Sequence, residues 1–389
     1  MEPVTHLLTG ACLSRTGLNR RAAYATLTMV IAAESPDIDT LWSLRGPIEG
    51  FQHHRGITHT FLGLPFEAAL IVAGVYIWHR WRVRRASTHP VARPKPLTIA
   101  PVRWGVLYGL ALIALLSHLL LDYTNNYGLR PFFPFDDRWY AASIVFIVDP
   151  LMLALLLGAL TLPWLFGLVN AEVGAKKQPF RGRGWAIAAL LGIVAWWTLR
   201  SVEHQRAIQM AMTQTIVAPT PGADSPQSQT NPTPSPDADS GYVPTFLPAR
   251  AALASPDALN PFCWSAVMDF GPVYRLAEID TSGGTLTMGE TTYPKPGQSA
   301  AVRAAERSKL GRVYMDWSPM PFVEVTKADG DLADVGSGSG AATTVVTFRD
   351  PRFLGGRMGE SGRQPLEGTV ELDAAGRVVL ETMDGRVEP

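Results

Sequence analysis

The sequence predicts a multi-pass α-helical membrane domain followed by a soluble α+β, mostly antiparallel β, domain. Three observations predict this fold class. Four long apolar runs all lie before residue 201. A segment rich in proline, serine and threonine follows, which cannot bury a core of its own. Beyond it, apolar residues occur only in short runs between turn residues. The predicted boundaries are 1–215 for the membrane domain, 216–241 for the linker and 242–389 for the soluble domain.

The N-terminal region predicts a helical hairpin that enters the membrane and returns. Residues 6–14 and 20–33 are apolar but too short to be typical single spans. Pro36 is expected to end the second helix, because proline disfavours helix at the residue before it. The first ten residues, MEPVTHLLTG, lack the basic residues of a cleavable signal, so none is expected.

The four apolar runs predict membrane spans, since a span takes roughly 20 residues. They cover residues 61–80, 104–122, 150–170 and 185–200. The loops after the first and third runs are rich in arginine and lysine, so the positive-inside rule assigns both to the cytoplasm. The chain is therefore expected to cross a membrane several times. Its C-terminal domain is expected on the extracytoplasmic side.

The C-terminal part predicts a small antiparallel sheet with one helix over 301–317. Strand-like runs cover 273–280, 285–293, 322–328, 343–350, 368–374 and 377–385. No histidine follows residue 204, so no metal centre is expected there. The cysteines Cys12 and Cys263 define neither a disulfide framework nor a cysteine zinc site. The formal net charge is zero, which excludes a broad nucleic-acid surface.

Polar residues converge at one boundary of the predicted membrane domain. Ionisable residues at membrane depth are costly and usually mark a site. With the orientation set by loop charge alone, ten residues lie near the outer boundary: His6, Glu34, Asp37, Asp39, His53, His54, His59, His118, Asp122 and Asp149.

The residue types and spacings in this set predict a metal site. His118 and Asp122 are four apart, so a helix presents both on one face. The segment PDID, if extended, would turn both of its aspartates the same way. Imidazole and carboxylate without thiolate suit Zn2+ or another divalent first-row metal. Because seven ligands are too many for one tetrahedral ion, two or more ions are expected. The candidate ligands are His6, Asp37, Asp39, His54, His59, His118 and Asp122.

Three further residues are candidate catalytic groups. Arg55 can bind phosphate oxygens as a fork or contact lipid headgroups. Glu34 or Asp149 can act as a general base or orient a ligand histidine. Simpler interpretations stay open: Asp149 precedes a proline and suits a helix N-cap, and the His118–Asp122 pair can be an ordinary hydrogen bond.

Six motifs resemble those of a known family. They are THLLTGA, SPDID, HHRGITHT, SHLLLDYTNNYG, RPFFPF and VDP, and together they cover residues 1 to about 150. They resemble the YdjM-type inner-membrane proteins, which are described as membrane-bound metal-dependent hydrolases. The resemblance implies the same seven metal-site residues and a location in the cell inner (plasma) membrane. It extends distantly to zinc-dependent phospholipase C and the S1/P1 nucleases, which hydrolyse phosphoesters at a zinc cluster.

Together these observations predict a membrane-bound metal-dependent hydrolase. Its expected substrate is a phosphoester or ester of a lipid or lipid-linked molecule, which would reach the site from the bilayer. The alternative is a non-catalytic membrane scaffold, in which a structural metal joins helix ends and the loops bind an unknown protein partner.

Overall fold

The computed structural model describes residues 1–88, 100–172, 182–218, 245–295, 299–327, 344–353 and 365–389. Most of the predicted linker and parts of both predicted cytoplasmic loops lie outside these ranges. Residues 216 and 217, assigned to the linker, belong to a short strand.

The N-terminal hairpin forms where the sequence predicts it. Its helices are α1 (Pro3–Arg15) and α2 (Ala25–Glu34), which pack against each other. Their backbones approach closely at Gly10, where a Cβ atom would lie 2.7 Å from the Met29 carbonyl oxygen. The helix α2 ends at Glu34, two residues before Pro36.

The segment after α2 corrects one expectation. Residues Ser35–Arg45 form a 3-10 helix, not the extended segment predicted for PDID. Proline tolerates the first turn of a helix, where its missing N–H needs no partner, and Pro36 lies in the first turn here. Two short helical pieces follow, α3 (Pro47–His53) and the 3-10 turn Ile57–His59.

Four longer helices correspond to the four apolar runs. They are α4 (Leu64–Thr88), α5 (Trp104–Thr124), α6 (Pro150–Glu172) and α7 (Arg183–Met212). By length and composition, α5 and α7 are potential membrane spans. Residues Pro47–His59 and Leu64–Arg85 pass the same test together, across an 84° bend, which gives two or three potential spans in the described residues. The segment Pro150–Phe166 is apolar but shorter. The predicted span over residues 150–170 therefore stays a prediction.

Two apolar clusters hold the helices together. One joins α2, α4 and α5 around Met29, Ala68 and Leu115. The other joins α1, α6 and α7 around Cys12 and Leu156. The site described below lies where α1, α2 and α5 meet the segment that joins α2 to α4.

The described part of the C-terminal region contains two larger antiparallel sheets. A short pair, β1 (Thr215–Val217) and β2 (Phe246–Pro248), precedes them. In chain order, β3 to β6 are Ala251–Pro256, Cys263–Asp269, Val273–Asp280 and Thr285–Pro294. In chain order, β7 to β11 are Phe322–Lys327, Thr344–Arg349, Gly368–Leu372, Val378–Met383 and Arg386–Val387. The four-stranded sheet has the order β3-β4-β5-β6 and the five-stranded sheet the order β11-β10-β9-β8-β7.

The structure confirms the antiparallel character of this region and adds elements that the sequence did not indicate. The strands β3 and β4 were not predicted. The predicted single helix is two helices, α8 (Ala300–Glu306) and α9 (Lys309–Trp317). Ser308 separates them because its side chain caps α9, accepting a hydrogen bond from the Gly311 amide.

The C-terminal region rests on the polar face of the helical region. The Trp317 indole donates to the Tyr127 carbonyl oxygen at 3.2 Å. The Lys309 ammonium group lies 2.7 Å from the Glu49 carboxylate of α3. On the other side, the long helix α7 packs on β3 and β4. The C-terminal region therefore contacts the same loops that carry the candidate site.

Candidate metal centre

Four separate segments deliver the candidate ligands to one place. The helix α5 presents His118 and Asp122 one turn apart, and both are fully buried. The helix α1 contributes His6, which is also buried. The Ser35–Arg45 helix contributes two aspartates, and the loop after α3 contributes His54 and His59. All seven residues predicted as ligands therefore lie around one centre.

Five distances within the first group of ligand atoms are close to those of a tetrahedral zinc site. The group consists of one atom each from Asp37, His59, His118 and Asp122. His59 Nε2 lies 3.1 Å from His118 Nε2 and 3.3 Å from both Asp37 Oδ1 and Asp122 Oδ2. His118 Nε2 lies 3.6 Å from Asp37 Oδ1 and 3.5 Å from Asp122 Oδ2. Zinc bonds of 2.0–2.1 Å in a tetrahedron separate the ligand atoms by about 3.3 Å.

The hydrogen bonds behind the two imidazoles support a cation between them. His118 Nδ1 lies 2.7 Å from the Ala33 carbonyl oxygen, which can only accept, so Nδ1 carries the proton. His59 Nδ1 contacts an Asp39 carboxylate oxygen at 3.2 Å, which again favours a proton on Nδ1. Both Nε2 atoms then present lone pairs to each other and to two carboxylates. Such an arrangement is stable only with a proton or a metal ion in the middle.

Three buried atoms at this place have no hydrogen bond among the described residues. Asp122 Oδ2 has none among the described residues. The His6 ring stacks on His118 with 3.8 Å between the centroids, and neither of its nitrogens is hydrogen-bonded in the described part of the chain. Leaving a buried polar group unpaired costs about 1–3 kcal/mol. His6 Nε2 lies 3.4 Å from Asp122 Oδ1, close enough to join the cluster with a small shift.

A second group shares Asp37 with the first. It consists of Asp37, Asp39 and His54, whose ligand atoms also lie within 4.8 Å of one another. His54 Nδ1 contacts Asp39 Oδ1 at 3.2 Å. Burial raises the pKa of Asp39, but hydrogen bonds from His54 and His59 outweigh it and hold the pKa below its ordinary range. A carboxylate that stays ionised in this way is suited to hold a cation.

The 3-10 geometry explains why the two aspartates reach different neighbours. In a helix of three residues per turn, side chains two positions apart point about 120° away from each other. Asp37 therefore reaches His118 of α5 as well as His59, while Asp39 contacts His54 and His59 in the loop after α3. Asp39 also accepts a hydrogen bond from the Arg55 amide at 2.7 Å, which fixes the loop on the helix.

Arg55 points into the protein. It is buried, and its backbone has a φ of 56°. Its guanidinium donates to Asp122 Oδ1 at 2.9 Å and to the Gly128 carbonyl oxygen at 2.7 Å. It also lies over the Tyr127 ring, 4.8 Å from the centroid. These contacts favour a role in positioning Asp122 over direct phosphate binding.

The two predicted general-base candidates have different surroundings. Glu34 ends α2, three residues before Asp37, and its buried Oε2 atom has no hydrogen bond among the described residues. Asp149 instead caps α6, accepting from the Met152 amide at 3.0 Å, and accepts from the Trp196 indole at 2.9 Å. Glu34 therefore lies directly before the Ser35–Arg45 helix that carries Asp37, whereas Asp149 contacts Met152 of α6 and Trp196 of α7.

The remaining described histidines lie apart from the cluster. His53 stacks on Trp42 and contacts Glu49, and His204 packs on Trp264 of the C-terminal region. Two residues that hold the site in place, Asn125 and Tyr127, were not predicted. Asn125 accepts from the Arg55 guanidinium at 3.2 Å and from the Tyr127 amide. Their only signal in the sequence is their place in the motif SHLLLDYTNNYG.

A cavity of about 1290 Å³ adjoins the second ligand group. Its wall on the helical side includes Thr40, Ser43 and His54, and its wall on the C-terminal side includes Asp257 and Arg352. The His54 side chain is 28% exposed, whereas the side chains of His59 and His118 are fully buried. The second group is therefore open to the cavity through His54.

One family model covers the helical region of the chain. The model of the YdjM inner membrane protein family matches residues 1–207, more than half of the chain. The chain belongs to the YdjM family. The match includes every candidate site residue and ends before the sheets begin. The chain is thus an inner-membrane-family protein with apolar helices and a buried Asp/His cluster able to hold a metal ion.

This YdjM-family chain is also similar to the "Uncharacterized protein YfhP" of Bacillus subtilis (strain 168). The two are 25% identical over 175 residues, which is 43% of this chain. The chain spans about half the length of that relative, 47%. No solved structure matches the chain.

Proposed function

We propose that this protein is a membrane-bound metal-dependent hydrolase, with Zn2+ as its first candidate metal and two ions as the expected number. The proposed substrate is a phosphoester or ester of a lipid or lipid-linked molecule. One observation carries the proposal: a closed four-ligand group and an open three-ligand group share Asp37, and the open group adjoins a large cavity.

Different residues would hold the two ions. His59, His118 and Asp122 would hold one ion away from solvent, while Asp39 and His54 would hold the other beside the cavity. A divalent ion, when bound, acts as a Lewis acid that lowers the pKa of a water and neutralises charge on an ester oxygen. The shared aspartate would keep the two ions close enough to act on one substrate.

The neighbouring side chains would orient this site. Arg55 keeps Asp122 turned towards the histidines and neutralises part of the negative charge of the cluster. The free carboxylate oxygen of Glu34 can accept a proton from a water beside Asp37. For Asp149 we propose an indirect contribution, because it fixes α6 and α7 to each other through Trp196.

A non-catalytic scaffold is the second candidate function. Structural zinc sites are closed by four protein ligands, and the buried first group has four. A single ion there would join α5 to the Ser35–Arg45 helix and leave the second group empty of metal. The protein would then serve as a membrane platform whose C-terminal region binds a partner.

Metal content separates the two functions. The detergent-purified protein is compared with His118→Ala, His54→Ala and the control His53→Ala, with metals counted by mass spectrometry. His53 neighbours His54 but points to Trp42, so its variant should keep the wild-type metal. If the protein is a hydrolase, the wild type should hold two ions and both ligand variants should hold fewer. The wild type should also hydrolyse a phosphatidyl substrate in mixed micelles, and His54→Ala should abolish this activity. One ion that only His118→Ala removes, without hydrolysis, would favour the scaffold.

The orientation of the chain is part of the proposal. Loop charges favour an extracytoplasmic C-terminal region, with the metal site at the same boundary. Alkaline phosphatase fused after residue 389 should be active if this is correct, and a fluorescent protein that folds only in the cytoplasm should stay dark at the same position. The opposite pair of signals would invert the topology.

A further inference from the structure

The Ser35–Arg45 helix arranges its side chains in three rows. Side chains three apart eclipse in a 3-10 helix, so every third residue shares a face. The first row is Asp37, Thr40 and Ser43. Asp37 belongs to both ligand groups, and the two hydroxyl residues line the cavity. This row therefore faces the candidate site along its whole length.

The second row packs on α3 and the loop that follows it. It consists of Asp39, Trp42 and Arg45. Asp39 contacts His54, and the Trp42 ring stacks on His53 with 4.2 Å between centroids. The Arg45 guanidinium lies 4.6 Å from the centre of the Trp42 ring. The second row thus ends in an aromatic residue and a cation at the surface.

The third row is aliphatic and points out of the protein. It consists of Ile38, Leu41 and Leu44, which are 61%, 58% and 85% exposed. Three successive turns thus present large apolar side chains on one face, while the other two rows are engaged with the protein. A row of this kind next to a polar site calls for an apolar environment.

We propose that this row inserts into the adjoining lipid leaflet, so that the helix lies along the membrane surface. Eleven residues at about 2.0 Å each span about 22 Å, too short to cross a hydrocarbon core of about 30 Å. Trp42 and Arg45 are residue types that favour the interface between lipid and water.

Exposed apolar side chains also occur on the elements that the helix packs on. The helix contacts α2 and the Ile57–His59 turn. Ile31 of α2, Ile57 of the turn and Phe61, two residues after the turn, are 43%, 52% and 48% exposed. In a family of inner membrane proteins with potential spans, exposed apolar side chains of this kind are expected to meet lipid.

The helix would then be the partition between the lipid leaflet and the metal site. One row contacts acyl chains, and another, on the same short helix, carries Asp37. An amphiphile could leave its chain in the leaflet and present its phosphate or ester headgroup to the cavity. This assignment of an amphiphilic substrate rests on the proposed function, whereas the lipid contact itself does not.

Spin-label accessibility tests the lipid contact directly. The full chain carries Leu41→Cys or Leu44→Cys in a Cys263→Ser background, since the other cysteine, Cys12, is buried. The labelled protein is reconstituted in vesicles of phosphatidylethanolamine and phosphatidylglycerol. Accessibility to oxygen is compared with accessibility to a water-soluble nickel chelate. Thr40→Cys is the matched control, because it lies on the same helix and faces the cavity.

Labels at both leucine positions should be more accessible to oxygen than to the nickel chelate, and the label at Thr40 should show the reverse. Equal preference for the nickel chelate at all three positions would overturn the proposal, whatever the protein hydrolyses. Labels in lipid combined with a protein that binds no metal would leave the lipid contact standing and remove the proposed function. The two failures are thus distinguishable.

Discussion

Arg55 offers a sharp test of the site geometry. The guanidinium is buried and shared between the Asp122 carboxylate of α5, the Gly128 carbonyl oxygen and the Asn125 side chain. Arg55→Met keeps most of the length of the side chain and removes the charge and all five donors. Asp122 then loses one of its cationic partners, and the Gly128 carbonyl oxygen loses the donor at 2.7 Å.

The expected loss of stability follows from the burial of the pair. Removing one partner of a buried ion pair costs about 3–5 kcal/mol, because the other charge stays behind without compensation. For a domain of about 200 residues, each kcal/mol lowers the unfolding midpoint by about 2–4 °C. The midpoint of Arg55→Met should therefore fall by about 6–20 °C. Arg55→Lys keeps the charge but not the fork, so its loss should be smaller, at about 1–3 kcal/mol.

The chain contains its own reporter for this experiment. Cys12 is fully buried between α1 and α6, so a thiol-reactive fluorescent dye labels it only when the helices separate. The measurement uses the Cys263→Ser background, in detergent, after metal has been removed with EDTA. Arg138→Met is the matched control, because Arg138 pairs with Asp136 on the surface and is 74% exposed. An exposed pair contributes about 0–1 kcal/mol.

Equal midpoints for Arg55→Met and Arg138→Met would refute the reasoning. Such a result would mean that the guanidinium is not paired inside the protein. Arg55 would then be free to bind a substrate phosphate, as the sequence first suggested.

Two further predictions concern helix packing and domain contact. Gly10→Ala should lower the free energy of unfolding by about 1–3 kcal/mol in the same thiol assay, because the added Cβ meets the Met29 carbonyl oxygen at 2.7 Å. Gly74→Ala is the control, because its added Cβ meets nothing within 4 Å. This variant should leave the free energy of unfolding unchanged or raise it by up to about 1 kcal/mol. Trp317→Phe removes the donor to the Tyr127 carbonyl oxygen, a hydrogen bond that contributes about 1 kcal/mol. Hydrogen exchange at residues 124–130 should therefore become about fivefold faster. Unchanged exchange there would mean that the C-terminal region does not rest on this loop.

Much of the fold could be predicted because it depends on local patterns. The four apolar runs of helical length correspond to four helices in the structure, at nearly the predicted positions. The short alternating runs correspond to six of the strands. The strands β3 and β4 were not predicted, since their sequences, AALASP and CWSAVMD, carry little strand signal. Their pairing comes from the neighbouring β5 and from the packing of α7 on this sheet. Tertiary contacts of this kind override local propensity.

The identity of the candidate ligands was also available from the sequence. Histidine and aspartate are rare beside apolar runs because burying them is costly, so their presence there was informative. The spacing of His118 and Asp122 predicted their shared face. The spacing of Asp37 and Asp39 gave a wrong prediction of their shared direction, because an extended segment and a 3-10 helix place the same two side chains differently.

The sequence by itself thus determined which residues gather at the polar end of the helices, since hydrophobic burial leaves few other places for them. Only the tertiary structure decided how they are grouped. Whether Arg55 meets a carboxylate or solvent, whether Asp149 caps a helix or joins the cluster, and which histidine faces the cavity depend on distances between segments far apart in the chain. A linear pattern does not encode these distances, because they arise from the packing of α1, α2 and α5 around one loop.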